Sequence, residues 1–199
     1  MKQAAVLIPL LFNNSNSSNS SNSSNSSNKN NSKNNLSNYE VLFTQRSANL
    51  KHHSGENSFP GGGLDFTKDN NNLLTTALRE AQEEINLLPE QTNIIYKLPK
   101  QYRSISNYMT SAFVGVINNS NSEVNLQKNP QEVAEIFTIP LSFLLQKNSF
   151  KRKYILLKNG RKLKFVTTTY NNHFIWGITG RILFDFINTI KKFNYKKLL

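Results

Sequence analysis

An uninterrupted polar tract, residues 13–38, divides the chain near its N-terminus and consists almost entirely of asparagine and serine with two lysines. Such a segment has too little apolar surface to offset the entropy lost on ordering, so it is predicted to be disordered. The flanking runs, residues 4–12 and 40–45, are apolar and typical of strands. Because loop-closure entropy grows only slowly with length, the tract is interpreted as an enlarged loop of an N-terminal hairpin.

Composition limits the remaining possibilities. A chain of 199 residues is long enough for one buried core and too short for two ordinary domains, so residues 1–199 are predicted to form a single domain. The chain has no cysteine, so any bound metal must be held by oxygen or imidazole ligands.

No apolar run approaches the roughly 20 residues that a membrane-spanning helix needs. The apolar run at residues 1–12 contains Pro9 and lacks a small-residue cleavage pattern, so it is interpreted as a first strand rather than a signal peptide. These observations predict an intracellular protein without a membrane partner, and no targeting signal decides between the cytoplasm and an organelle such as the peroxisome or mitochondrion.

The net charge of +12 is concentrated near the C-terminus. Residues 147–199 contain 13 of the 24 lysines and arginines and one acid, Asp185. A field of this sign attracts anionic ligands, which include phosphate-rich small molecules and nucleic acids. A solvated basic surface without a partner explains the charge equally well.

Hydrophobic spacing predicts a helix at residues 73–88, with Asn71 or Asn72 as its N-cap and Pro89 as its stop. Strands are predicted at residues 93–98, 109–117 and 135–139, and a short helix at residues 141–146. A second hairpin is predicted at residues 154–157 and 162–169, turning at Asn159-Gly160, followed by an amphipathic helix at residues 175–193. Mixed strands around two main helices indicate an α/β or α+β sandwich.

The first of these helices carries the chemistry. Glu80, Glu83 and Glu84 stand at i, i+3 and i+4, so they lie on one side of the helix beside its apolar face. Clustered carboxylates are ligands that Mg²⁺ prefers, and Arg79 offsets part of their repulsion. Alone, such a pattern is more often a set of surface charges. The turn at residues 59–63, Phe-Pro-Gly-Gly-Gly, favours a site because its backbone can approach a phosphate closely.

The segment resembles the Nudix box, whose pattern is G-x5-E-x7-R-E-U-x-E-E-x-G-U with U an aliphatic residue. Residues 79–87 match its second half, and Asn86 stands where the pattern has glycine. Asparagine also tolerates the left-handed conformation that a helix end needs. Residues 68–72 lengthen the first half, so that either Asp65 or Asp69 can replace its glutamate. The resemblance implies a Nudix-type α/β/α sandwich with a mixed sheet and a hydrolase of diphosphate bonds.

A second resemblance narrows the substrate. Residues 42–62 are similar to the signature L-L-T-x-R-[SA]-x3-R-x3-G-x3-F-P-G-G of Nudix enzymes that act on coenzyme A, with Phe43 and Lys51 as conservative departures. Residues 129–137 and 175–180 also look like that subfamily. The resemblance implies cleavage of coenzyme A or acyl-coenzyme A to 3′,5′-ADP and 4′-(acyl)phosphopantetheine.

The resemblance also implies roles for individual residues. Glu80, Glu83 and Glu84 would hold Mg²⁺ or Mn²⁺ and act with Arg79 in catalysis, with Glu83 or Glu132 as the general base. Substrate binding falls to Arg46, Lys51, Gly61 and Gly62. Other diphosphate substrates remain open, namely ADP-ribose, dinucleoside polyphosphates and capped RNA, as does a binding module with weak catalysis. Nucleic acid is a less favoured partner, and either a monomer or a homodimer is expected.

Overall fold

The computed structural model describes residues 1–13, 36–50, 53–104, 107–118, 124–156, 160 and 162–193. Among them the strands are β1 (Lys2–Phe12), β2 (Tyr39–Arg46), β3 (Asn57–Ser58), β4 (Gly61–Gly63), β5 (Thr92–Lys97), β6 (Tyr102–Arg103), β7 (Tyr108–Ile117), β8 (Val133–Pro140), β9 (Lys151–Leu156), β10 (Lys162–Tyr170) and β11 (His173–Ile175). The helices are α1 (Leu73–Ile85), α2 (Leu141–Leu144) and α3 (Gly177–Lys192).

The main sheet is mixed, as the sequence predicted. Strands β1 and β7 run parallel over ten residue pairs, and every other pairing in this sheet is antiparallel. On the edge opposite β7, β1 has two neighbours: its C-terminal end pairs with β2 and its N-terminal end pairs with β4. Strand β8 extends the sheet beyond β2, while β5 and β6 pair with β7. Because β4 rather than β2 pairs with the N-terminal end of β1, the glycine turn lies next to the centre of the sheet.

Alternation along the strands produces two buried layers. On β1, Ala5 and Leu7 face α1, whereas Ile8 and Leu10 belong to the cluster that includes α3. Successive side chains of a strand point to opposite faces, so one strand supplies both layers. The sheet therefore lies between α1 on one face and α2 with α3 on the other, which confirms the predicted three-layer α+β sandwich.

Helix α1 begins where the sequence predicts and ends earlier. Asn72 is the N-cap, since its side-chain oxygen accepts a hydrogen bond from the Leu74 amide at 2.9 Å. The helix ends at Ile85 because Asn86 adopts the left-handed conformation, with φ of 57°. The predicted end at Leu88 was wrong. Pro89 lies beyond the helix and begins a 3₁₀ turn, Pro89–Gln91.

The polar tract is described only at its margins. Leu36–Asn38 form a 3₁₀ turn with Asn38 buried, and the Asn13 amide donates to the Asn38 carbonyl at 2.7 Å. These bonds attach the margins to the paired ends of β1 and β2, so the predicted disorder does not extend to residues 36–38. Residues 14–35 lie outside the described part of the chain. No helix in the described ranges is long and apolar enough to cross a bilayer.

Candidate active site

The glycine turn brings the backbone of β4 against both the sheet and helix α1. A side chain at Gly61 would collide with the backbone of Ala5 and Val6, with which β4 pairs. A side chain at Gly62 would overlap the carboxyl group of Glu80. Gly61 therefore requires glycine for space, whereas at Gly62 the absence of a side chain leaves room for the Glu80 carboxylate directly over the turn.

Replacing Gly62 by alanine tests this contact. The added methyl group displaces the Glu80 carboxylate, which is the flexible end of a side chain, so the fold should tolerate the change. We expect kcat to fall about tenfold or more, because a small displacement of a reacting group is costly, with Tm almost unchanged. Steady-state kinetics and thermal unfolding of Gly62→Ala measure the two effects. A large loss of Tm with normal kcat would contradict the assignment.

Asp69 and Arg79 form the best-defined ion pair beside the turn. The Arg79 guanidinium donates to both Asp69 carboxylate oxygens, from Nε at 2.7 Å and from the terminal nitrogen at 3.1 Å. Asp69 is fully buried and also accepts a hydrogen bond from the Thr76 hydroxyl at 2.8 Å. The bond from Arg79 is the main cause that lowers the pKa of Asp69 to about 2.

Asp65 has a different role. Its Oδ1 accepts hydrogen bonds from the amide and hydroxyl of Thr67 and from the Lys68 amide. These bonds lower the pKa of Asp65 and close the loop that precedes α1. Of the two candidates for the upstream acid, Asp69 is therefore the one that binds Arg79, whereas Asp65 stabilises the loop turn.

Arg79 also contacts two of the three helix glutamates. Its terminal nitrogens lie 2.9 Å from Glu80 and 2.8 Å from Glu83. Glu83 pairs in addition with Lys68 at 3.4 Å, and its side chain is 43% exposed. Lys68 belongs to the lengthened first half of the motif, and sequence spacing gave no signal for its contact. The three glutamates lie on one side of the helix, as predicted. The Glu83 side chain, however, turns towards Arg79 and Lys68, whereas Glu84 lies on the side that faces the sheet.

Glu84 is the most deeply buried of the acids on α1, at 2% exposure. Its nearest counter-charge is Arg46 at the end of β2, with Nη1 3.7 Å from Glu84 Oε1. The second oxygen, Oε2, is buried without a hydrogen-bond partner. Burial first, and the neighbouring charges of Glu80 and Glu132 next, raise the pKa of Glu84 from 4.5 to about 8, although Arg46 opposes the shift.

Glu132 lies in the loop before β8, which is hydrogen-bonded to the end of α1. The amides of Gln127 and Asn129 donate to the last free carbonyls of the helix, those of Ile85 and Glu84, at 3.1 and 2.9 Å. The Asn129 carbonyl then accepts from the Glu132 amide at 3.0 Å. After burial, the charge of Glu132 is among the causes that raise the pKa of both Glu80 and Glu84.

The acids fit a divalent cation in their chemistry. Glu80, Glu84 and Glu132 repel one another electrostatically, and Glu84 has a buried oxygen without a partner. Carboxylate oxygens are the ligands that Mg²⁺ and Mn²⁺ take. Within the described ranges, no three acidic or histidine side chains already converge as a ligand set. Glu80 and Glu83 are paired with Arg79 instead.

The buried Glu84 predicts an unusual pH dependence of stability. Its pKa in the folded state is raised from 4.5 to about 8, so the folded protein binds this proton more tightly than the unfolded chain. The contribution is fully present below about 4.5 and is lost as pH rises through about 8. We expect Tm of metal-free protein to fall over this window, and to fall less in Glu84→Gln. Parallel pH profiles for the two proteins would contradict the burial of this charge.

The substrate-binding predictions fall on different parts of the site. Gly61 lies against the backbone of β1 and Gly62 against the Glu80 carboxylate, and Arg46 stands beside Glu84 with a buried Nε that has no hydrogen-bond partner. Lys51 lies outside the described residues. An open cleft of about 560 Å³ adjoins the turn and is lined by Gly63, Leu64, Asp65, Phe66, Thr67, Arg79 and Glu80. It provides room for a substrate next to Glu80.

Comparison with known proteins agrees with the resemblance to the Nudix family. The family model described as the NUDIX domain matches residues 32–158. The chain is 35% identical over 144 residues to the uncharacterized Nudix hydrolase NudL of Photorhabdus laumondii, covering 72% of this chain and 73% of the relative. It is 34% identical to the NudL protein of Pectobacterium atrosepticum, covering 72% and 71%. A MutT/nudix family protein from Enterococcus faecalis shares the fold at 13% identity, with a TM-score of 0.55 and coverage of 96% and 62%.

Proposed function

Because this chain belongs to the Nudix hydrolase family, whose members act on diphosphate bonds, we propose that its substrate is coenzyme A or an acyl-coenzyme A. The products would be 3′,5′-ADP and 4′-phosphopantetheine or its acylated form. The observation that carries the proposal is the segment at residues 42–62, whose sequence resembles the coenzyme A signature and whose Arg46 side chain lies against Glu84 of the catalytic helix.

The structure gives this segment a physical connection to the site. Leu42 and Phe43 are fully buried, and the rings of Phe43 and Phe59 stack at 4.8 Å, which binds the start of the segment to its end. The Arg46 amide donates to the Glu56 carbonyl and the Gly55 amide donates to the Arg46 carbonyl, at 3.0 and 3.2 Å. These contacts hold Arg46 beside the acids and support its role in binding a substrate phosphate.

The acids of α1 supply the proposed metal site. A divalent cation held by Glu80, Glu83 and Glu84 would neutralise the diphosphate and lower the pKa of an attacking water. Arg79, fixed by Asp69, orients Glu80 and Glu83 for this task. An all-oxygen ligand set suits both Mg²⁺ and Mn²⁺.

Glu132 is the better of the two candidate general bases. Glu83 forms ion pairs with both Arg79 and Lys68, so its carboxylate oxygens are already occupied by cations. Glu132 forms no ion pair in the described structure, and its loop is hydrogen-bonded to the end of the helix that carries Glu80 and Glu84. We therefore assign the removal of the proton from water to Glu132, which requires a hydrogen-bonding distance to that water.

A product assay tests the substrate assignment. The full chain is incubated with Mg²⁺ and, separately, with coenzyme A, an acyl-coenzyme A, ADP-ribose, a dinucleoside polyphosphate and capped RNA, and the products are identified by mass spectrometry. We expect 3′,5′-ADP from both coenzyme A substrates at the highest kcat/KM. If coenzyme A stays intact while another substrate is cleaved rapidly, the assignment of coenzyme A as the substrate is excluded. No cleavage of any of them would favour the binding-module alternative.

A further inference from the structure

Phe66 lines the cleft beside Glu80 and has no place in the core. The residue is 70% exposed, and the same cleft of about 560 Å³ is lined by Arg79 and Glu80. Phe66 belongs to neither apolar cluster of the described core. A single exposed ring is common on protein surfaces and needs no explanation by itself. An exposed ring inside a cleft next to the proposed catalytic acids, however, indicates a contact with the ligand.

Hydrogen bonds on both sides of Phe66 fix the loop that carries it. Before it, the Leu64 amide donates to the Gln3 carbonyl of β1 at 3.0 Å. Around it, the Asp69 amide donates to the Asp65 carbonyl, and the Asp65 amide donates to the Asp69 carboxylate, each at 2.9 Å. A ring on a loop closed in this way loses little conformational freedom when a ligand binds. Phe66 is therefore arranged in advance as a contact surface.

The lining of the cleft offers no free cation to a phosphate group. Among the described residues that line it, Arg79 is the one cation, and it is already paired with Asp69, Glu80 and Glu83. The part of the substrate next to Phe66 is therefore an uncharged one, either the adenine base or the pantetheine arm. Of these two, the base is planar and aromatic, and such a group stacks on a phenyl ring.

The length of the loop suits the base. Phe66 follows Gly63 by three residues, so their Cα atoms are at most about 11 Å apart. Gly63 and Glu80 line the same cleft. In a substrate whose diphosphate lies at Glu80, the ribose comes next and the base lies beyond the ribose. The base is thus within reach of Phe66 while the diphosphate is at the acids.

We propose that Phe66 binds the substrate by stacking on its adenine base. The inference rests on the proposed function, because it places the diphosphate of an adenine nucleotide at Glu80. It goes beyond that function, because Phe66 lies outside residues 42–62 and at an unspecified position of the Nudix pattern. A ring that contacts the base binds the ground state and the transition state equally, so its loss raises KM and leaves kcat unchanged.

Binding of the two products, measured separately, tests the contact without turnover. The product 3′,5′-ADP carries the base, and 4′-phosphopantetheine carries the arm. In calorimetric titration, 3′,5′-ADP should bind Phe66→Ala about 5-fold to 100-fold more weakly than the unaltered chain, the range for losing a ring that stacks on a base. Affinity for 4′-phosphopantetheine should be equal. The KM for coenzyme A should rise over the same range, with kcat and Tm unchanged because the ring is largely exposed.

Phe66→Trp separates stacking from a merely structural effect. The larger ring should keep the affinity for 3′,5′-ADP within about twofold, and the base should quench the fluorescence of the new indole. The matched controls are Phe193→Ala and Phe193→Trp, since Phe193 is 54% exposed and follows α3 on the other face of the sheet. Neither control should alter binding or KM, and the indole at position 193 should not be quenched.

The possible failures are distinguishable. The inference fails if Phe66→Ala keeps the unaltered KM for coenzyme A, or if it loses affinity for 4′-phosphopantetheine instead of 3′,5′-ADP. The proposed function fails if coenzyme A stays intact in the product assay while another adenine nucleotide is cleaved. In that case the KM of Phe66→Ala for the cleaved nucleotide decides the stacking contact, since an increase supports it and an unchanged value overturns it.

Discussion

Glu84→Gln should lower kcat for diphosphate cleavage by on the order of 10² to 10³, without lowering the stability of the metal-free protein. The loss of rate follows from the proposed role of Glu84 as a charged ligand of a cation, which would supply several kcal/mol to the transition state. The preserved stability follows from burial, because the ionised carboxylate of Glu84 has one oxygen without a partner and a pKa raised to about 8. A neutral amide of the same shape avoids that cost.

This combination distinguishes a functional acid from a structural one. A glutamate that mainly stabilises the fold would lose Tm and rate together when it is neutralised. The matched control is Glu90→Gln, since Glu90 is exposed in the 3₁₀ turn after α1 and has no role in the site. Steady-state kinetics and thermal unfolding in a chelator measure both quantities. A rate for Glu84→Gln within a few-fold of the unaltered enzyme would refute the metal assignment.

Asp69→Asn should destabilise the protein by about 2–3 kcal/mol, which lowers Tm by about 5–10 °C. Asp69 is fully buried, and both of its carboxylate oxygens accept hydrogen bonds from Arg79. An asparagine presents one acceptor and no charge, so Arg79 loses its strongest partner. The loss is smaller than for an isolated buried pair because Glu80 and Glu83 still contact the guanidinium.

The same substitution should reduce kcat by about 10-fold to 100-fold, the usual effect of losing a group that orients a ligand. Asp65→Asn is the control, because Asp65 bonds only within the loop before α1 and does not touch Arg79. Its Tm and kcat should change little. If Asp65→Asn were the more damaging variant in both measurements, the upstream acid of the motif would be Asp65.

The parts of the fold that follow from periodicity were predicted from the sequence. Apolar spacing located α1 and the side of the helix that carries its glutamates, and alternation located β1, β2 and β7. The left-handed Asn86 was also anticipated as a substitute for glycine, yet the predicted helix continued to Leu88. The helical spacing of apolar residues continues past the end of a helix whenever the next residues are also apolar. Leu87, one residue beyond Asn86, is such a residue and is buried.

Contacts between distant residues could not be read from the sequence. The choice of Asp69 over Asp65 depends on hydrogen bonds within an irregular loop, which has no period. Spacing placed Glu83 on the same side of the helix as Glu80 but did not determine its side-chain direction, which Lys68 and Arg79 set. The pairing of Arg46 with Glu84 joins residues from β2 and α1. Such contacts require the packed sheet and helix together.

Metal binding to α1 is the central claim, and calorimetric titration tests it most directly. Mg²⁺ and Mn²⁺ are titrated into the metal-free full chain, Glu84→Gln and Asp65→Asn at a pH near 8. The account predicts saturable binding to the unaltered protein and to Asp65→Asn, with at least a tenfold loss of affinity in Glu84→Gln. Equal affinity of all three proteins for the cation would contradict the assignment of the metal to this helix.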